Sequence, residues 1–443
     1  MSHLADYRIE RGPQSHRVPL VRHMRLTLAY HPVTDLRFGA TTQLQGTTLE
    51  VSEAALRQHL LEDRRLQSVD FAIVHPGESC RFGVVFDIVE PRAKEPGAGP
   101  DFPGILDAIA MVGQGITHVL QGAAVTVLDT TAPVAGGQVV EMSGDAGKAC
   151  PYAALSHLVV VPHAVPGLER PRAWHALRLA SVKAAVSLAR TAVHHSPADS
   201  AVFDSLGPVE ASRPGLPRIG YIGQIHSRQR VAEVDEQILY GANTAGMAPV
   251  LLHPNEWLDG ALVTSYTSSA VETYFYQNHP VIMELYRWHR EGKITLVGTI
   301  ATMAGSDNDD RARNAMLAAH QAKWGLVAEG IILTKYGGGA PHADMALTAK
   351  LCEELGMRTA VQASDMSRDR RAESALLFNY DEVDAIVYVG GNDTRWTVPA
   401  VPRVIAGTPA AAAALQAAQV LDAGRLCGVT NQQGASHLRA FVH

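Results

Sequence analysis

Beyond Pro217 the chain alternates short β-branched runs with amphipathic segments, and this alternation constrains the fold more than any other feature. The runs are RIGYIGQI, MAPVLLHP, KITLVGTIAT, EGIILTKYGG, MRTAVQAS and DAIVYVGG; between them lie segments of helical periodicity, including DDRARNAMLAAHQAKWG and ADMALTAKLCEELG. Such a β-α-β alternation predicts an open, largely parallel, doubly wound sheet. In sheets of that kind, ligands bind in the crevice outside the carboxyl ends of the strands. The peptides that follow the strands are therefore where function is to be sought.

The first part of the chain reads differently. From Arg25 to Val51, apolar and polar residues alternate, with turn signals at His31-Pro32 and Gly46, a pattern of short antiparallel strands. VDFAIVHPG and FGVVFDIVEPR are further strand-like runs, KEPGAGPDFPG is a loop by composition, and THVLQGAAVTVLD has the form of a strand pair. LSHLVVVPHAVPG is a buried strand, and RAWHALRLASVKAAVSLARTAV has helical spacing. The expected organisation is a mostly β N-terminal module over 1–193 that ends in this strand and long helix. A Pro/Ser/Gly-rich linker over 194–217 and an α/β substrate-binding domain over 218–443 follow.

Composition narrows the function. The 443 residues are 47% hydrophobic and 19% charged, which places the chain among globular proteins of two or three domains. A net charge of −6 without a basic-aromatic cluster argues against nucleic acid, and no run approaches the roughly eighteen apolar residues of a membrane span. The N-terminus MSHLADYRIERG carries charges where a signal peptide needs an apolar core, so a cytoplasmic location is expected. Cys80, Cys150, Cys352 and Cys427 stand far apart without a C-x-x-C pair, the pattern of reduced, buried thiols. The expected ligand is a small molecule.

Five strand ends are rich in polar residues or glycine and are expected to converge on one edge. They carry His226 to Arg228; His253 to Glu256; Gly305 to Asp310; Tyr336 to Asp344; and Gly390 to Trp396. Each has two readings. Asp307 to Asp310 either face a ligand or cap the helix that begins near Arg311. Lys335 is either a Schiff-base or anion-binding lysine or a solvated strand end. His253, His279 and His342 suit acid–base work, because histidine titrates near neutrality. His342 and Asp344 lack the H-E-x-x-H frame, so no metal is assigned. Gly337 to Gly339 allow close backbone approach yet fit no nucleotide fingerprint, and no G-x-S-x-G elbow surrounds the serines.

Three stretches carry a family resemblance. They are PRAKEPGAGPDFPGILDAIAMVGQGITHVLQGAAVT with the later EMSG; IGQIHSRQ, LLHPNEWLDGALVTS and YFYQNHPVIMELYRWH; and VGTIATMAGSDNDDRARNAMLAAHQAKWG with GIILTKYGGGAPHADMALTA. From about Arg25 to Gly407 the chain resembles the proprotein (alpha and beta subunits) of component B of glycine, sarcosine and betaine reductase, with D-proline reductase as a cousin. The resemblance implies a substrate-binding subunit for reductive cleavage of the C–N bond of a small amino acid or amine, in a multi-subunit complex whose partner subunit supplies a cysteine or selenocysteine. It also implies a precursor that cuts itself before a cysteine, which becomes a pyruvoyl group.

Here the chain departs from the family. The junction falls between LLHPNEWLDGALV and YFYQNHP, a window with neither asparagine nor cysteine. In its place stand six consecutive hydroxyl residues, Thr264, Ser265, Tyr266, Thr267, Ser268 and Ser269. A pyruvoyl group from Ser268 or a 2-oxobutyryl group from Thr267 is one alternative; an intact chain is the favoured one. The expected site has Thr267, Ser268, His342 and Lys335 as catalytic residues, with His253, Ser265, Asp307, Tyr336, Gly338, Asp344, Asn392 and Asp393 binding substrate. Two other functions stay open: a non-redox lyase or transferase on a related metabolite, and a non-catalytic scaffold subunit.

Overall fold

A computed structural model describes residues 24–132, 135–205, 214–226, 236–266, 271–305, 307–337, 339–365, 383–391 and 394–430. The chain is mixed α/β, with its strands divided among several sheets.

In the first half, one four-stranded sheet has the order Asp199–Ser205, Met24–Pro32, Gly115–Gln121, Arg92–Lys94. A second has the order Leu66–Val74, Ser156–Ala164, Ala123–Leu128, Val85–Val89. The pairing differs from the antiparallel expectation, since Met24–Pro32 runs parallel to Gly115–Gln121 and Asp35–Phe38 parallel to Thr48–Val51. THVLQGAAVTVLD does form two strands, but they lie in different sheets rather than pairing with each other. Gly122 turns the corner between them with φ +95°, and a Cβ there would stand 2.6 Å from the Val33 carbonyl oxygen. Within 194–217, Asp199–Ser205 is a strand antiparallel to Met24–Pro32. The helix Arg170–Ala189 lies on the second sheet and buries most of its length, including Arg178.

The six-stranded sheet has the order Val250–Leu252, Thr295–Met303, Arg218–His226, Gly330–Thr334, Arg358–Asp365, Ala385–Gly391. The last five are mutually parallel. Alternate side chains serve two cores, as the period of two in a strand requires. Tyr221, Leu296, Ala301 and Met303 pack with Ile282, Leu285 and Tyr286 of the helix Pro280–Arg290. Ile222, Val297, Ile300 and Leu333 pack with Ala318 and Ala319 of Asn308–His320 and with Met345, Ala349 and Cys352 of Ala340–Glu354.

The chain then turns back on its first half. Arg403–Ile405 runs parallel to Cys80–Gly83. The buried Arg81 pairs with Glu141 at 2.6 Å and donates to the carbonyls of Pro399 at 2.6 Å and Ala417 at 3.2 Å. No helix among the described residues is long and apolar enough to cross a membrane.

Candidate functional site

In the parallel part of the large sheet, the first strand in sequence, Arg218–His226, lies between the second and the third. Arg218–His226 and Gly330–Thr334 are parallel neighbours, so the residues at and beyond their carboxyl ends lie together at one edge of the sheet. Gln224 and His226 end the first of these strands; Thr334 ends the second and is followed by Lys335 and Tyr336.

Lys335 is fully buried rather than solvated. Its Nζ donates to the Gly337 carbonyl at 2.7 Å, and among the described residues no carboxylate pairs with it. Burial without a counter-ion disfavours the ammonium and pushes Lys335 down to about 7. His342, buried in the first turn of the following helix, is pushed down to about 3 by burial and then by the Lys335 charge. Near neutral pH the site therefore combines a neutral imidazole with an amine poised between its two forms.

Tyr336 fixes the geometry beside them. Its amide donates to Gln224 Oε1 at 3.1 Å, and the Gln224 side-chain amide donates to the Pro341 carbonyl at 3.0 Å. The Tyr336 hydroxyl meets Ser265 Oγ at 2.9 Å. His226 approaches Glu236 at 3.4 Å, and Glu236 Oε1 accepts from the Tyr266 amide at 2.6 Å. Hydrogen bonds thus join the start of the hydroxyl run to these strand ends.

Both flanks of that run are anchored to the first half of the chain. Asp87, in the strand Val85–Val89, accepts from the Thr273 amide at 2.9 Å and from Thr273 Oγ1 at 2.7 Å. Asp87 also pairs with Arg178, whose Nη2 donates to the Thr264 carbonyl. The Thr264 amide donates to Thr273 Oγ1 at 3.1 Å, and Thr264 Oγ1 donates to the Val271 carbonyl. Next to this clamp Glu272 is buried, accepting from the Tyr152 hydroxyl at 2.8 Å, and burial pushes its carboxyl up.

The other expected site residues have structural partners. Val250–Leu252 runs antiparallel to Thr295–Met303, so it carries His253 toward the amino end of that strand, away from the edge where Lys335 lies. The expected convergence fails for this strand end. His253 caps the helix Pro254–Leu258, its Nδ1 accepting from the Asn255 amide at 3.2 Å and its own amide donating to Glu256 at 2.6 Å. Asp307 caps Asn308–His320 by accepting from the Asp310 amide at 2.8 Å. Asp344 accepts from the Gly305 amide and from Arg311, which ties two strand ends together. His279 caps Pro280–Arg290 and meets the Tyr221 hydroxyl at 3.1 Å, and burial pushes it down to about 3. Thr267, Ser268, Gly338, Asn392 and Asp393 lie outside the described residues.

Sequence reasoning missed Gln224, Glu236, Asp87, Arg178 and Thr273. A signal existed for two of them: Asp87 interrupts an otherwise apolar strand, and Arg178 falls on the apolar face of an Ala/Leu/Val helix. A charge on a buried face needs a partner.

The chain is 29% identical over 389 residues to the glycine reductase complex component B subunits alpha and beta of Acetoanaerobium sticklandii, covering 86% of this chain and 89% of that one. It is 29% identical over 390 residues to the sarcosine reductase complex component B subunit alpha of Peptoclostridium acidaminophilum, with the same coverage. It is 28% identical over 396 residues to the betaine reductase complex component B subunit alpha of that organism, covering 86% of this chain and 88% of the relative. No solved structure matches. The family model for glycine/sarcosine/betaine reductase component B subunits matches residues 24–423, and the chain belongs to that family.

Proposed function

We propose that this chain is the substrate-binding subunit of a glycine-, sarcosine-, betaine- or D-proline-reductase-like system, acting on the C–N bond of a small amino acid or amine. In this reading the open, doubly wound sheet presents the site at its switch point. The observation that carries it is Lys335: an amine buried without a carboxylate partner among the described residues, beside His342 and the Ser265–Tyr336 hydroxyl pair. Such a lysine is electrostatically incomplete and is satisfied by a ligand carboxylate, while the neutral His342 accepts or returns a proton.

The electrons come from elsewhere in this reading. Burial pushes Cys80 up to about 11, and Cys150 and Cys352 up to about 12. Cys427 is pushed up by burial and by the nearby Glu272. A thiol held protonated is a poor nucleophile, which favours a partner subunit as the source of the reactive cysteine or selenocysteine.

The family resemblance implies a ketoacyl group made from the chain, which supplies an electron sink for a substrate amine. Its formation needs a hydroxyl or thiol beside an activated peptide carbonyl. Among the described residues, Ser265 fits: it follows the Thr264 carbonyl that Arg178 contacts, and its hydroxyl faces Tyr336 in the site.

Calorimetric titration with glycine, sarcosine, betaine and D-proline tests the reading, followed by turnover with a thiol or selenol partner subunit. One of these ligands is expected to bind, and Lys335→Ala and His342→Ala to abolish turnover. Turnover that survives both changes would reject this site. A second reading, a non-redox lyase or transferase, draws on the depressed Lys335 amine. It is favoured if a carbonyl substrate becomes fixed to Lys335 on borohydride reduction.

A further inference from the structure

We propose that the open cavity on the sheet of Met24–Pro32 is a ligand site of its own, which takes a small ammonium compound on the carboxylate of Glu95. The inference goes beyond the reductase reading, since none of the residues lining this cavity belongs to the site around Lys335.

The sheet itself makes the room. Side chains at every second position share a face, so Thr27, Ala29 and His31 of Met24–Pro32 lie on the same side. Ser200, Ala29 and His118 stand in register across three strands, and the small side chains of the first two leave space where a core would otherwise pack. The segment that follows the helix Arg170–Ala189 walls this space and is fixed at both ends. The His195 amide donates to the Ala192 carbonyl, and the Ala198 amide to the Tyr30 carbonyl, each at 2.9 Å. The cavity measures about 440 Å³, within the range of small-molecule sites.

The charge of the lining sets the class of ligand. Glu95 is its one carboxylate, and it contains no lysine or arginine. A carboxylate only accepts, so His118 donates from Nε2 to Glu95 Oε2 at 2.5 Å; in the neutral ring, Nδ1 then accepts from His31 Nε2 at 3.0 Å. Burial, followed by the neighbouring His118 and His195, pushes His31 below the ordinary imidazole value, which favours a neutral ring behind this pair. Both nitrogens of His118 are thereby occupied. Glu95 keeps 41% of its side chain exposed, and its Oε1 has no hydrogen-bond partner among the described residues. A cationic N–H donor supplies that partner in a charge-assisted hydrogen bond. The hydroxyls of Thr27, Ser196 and Ser200 can accept the remaining N–H groups, and Ile116 and Val193 offer an apolar wall to the carbon skeleton.

Isothermal titration calorimetry of the full-length protein with ethanolamine near neutral pH tests this, because ethanolamine is cationic there and has no carboxylate for Lys335 to bind. One saturable site is expected, for which acetate does not compete. Glu95→Gln keeps the shape and removes the charge, and is expected to weaken binding at least about tenfold. Ser200→Leu keeps the charge and fills the space, and is expected to weaken it to a similar degree. Lys335→Ala is expected to leave the affinity within about twofold of wild type. Far-ultraviolet circular dichroism of each variant establishes that it is folded. Absence of a saturable ethanolamine site overturns the proposal, as does competition by acetate or an affinity unchanged in either Glu95→Gln or Ser200→Leu. Binding lost in Lys335→Ala would move ethanolamine to the large sheet and overturn it equally. The reductase reading is judged by turnover, which this titration does not measure, so either can fail while the other stands.

Discussion

The amide of Thr264 donates to Oγ1 of Thr273 at 3.1 Å, so nine residues further along, the chain has returned to the same point. The same Oγ1 donates to Asp87 at 2.7 Å, which makes Thr273 the pin of the clamp around the hydroxyl run. Thr273→Val keeps the shape and removes both bonds, leaving a buried amide and a carboxylate oxygen short of a partner. The expected loss is roughly 1–3 kcal/mol of stability, read from the shift in urea midpoint at constant slope. An unchanged midpoint would show that the clamp does not stabilise the fold.

Asp87 and Arg178 form a buried ion pair within that clamp. Arg178→Met leaves the carboxylate uncompensated and is expected to cost about 3–5 kcal/mol, whereas pairing it with Asp87→Leu recovers much of the loss. A double-mutant cycle by chemical denaturation measures the coupling; additive losses would mean that the two side chains stabilise the protein independently.

Lys335 makes stability depend on pH in an unusual direction. Its folded value of about 7 lies below the ordinary lysine value of 10.5, so between these the unfolded chain binds more protons and stability rises with pH. Lys335→Met removes this cost. The variant is expected to be more stable than wild type near pH 7, by on the order of 3 kcal/mol, with the gap closing as pH rises toward 10. Thermal melts of both proteins across that range check the sign, and a gap that widens with pH contradicts the burial of a neutral amine.

Gly122 separates two strands that enter different sheets, in a left-handed conformation with φ +95° and the Val33 carbonyl oxygen 2.6 Å from where a Cβ would stand. Gly122→Ala is expected to lower stability by roughly 1–3 kcal/mol, measured by thermal unfolding. A neutral substitution would mean that the corner opens readily.

The β-α-β half was legible because its central strands, Arg218–His226 and Thr295–Met303, are buried on both faces and read as short, nearly continuous apolar runs. Pairing partners were less legible. Val250–Leu252 has the apolar look of its neighbours, and nothing within it specifies that it runs antiparallel to Thr295–Met303. Lys335, Tyr336, His342 and Ser265 were readable as strand-end or hydroxyl-run residues. Arg178 and Asp87 lie 91 positions apart, and only folding discloses that each is the other's partner. Asp307 and His253 look the same in sequence whether they bind a ligand or cap a helix, because both uses exploit the same acceptor atoms.

The clamp also decides what a break in the hydroxyl run would do to the particle. Asp87 and Arg178 grip Thr264 on one side of any cut and Thr273 on the other, while the late strand Arg403–Ile405 is woven beside the early strand Cys80–Gly83. Two severed chains would stay interlocked, migrating as one body until denatured. Made separately, each would lack strands that complete its sheets. Continuity of the backbone at this point matters for reaching the fold, and hardly at all for keeping it.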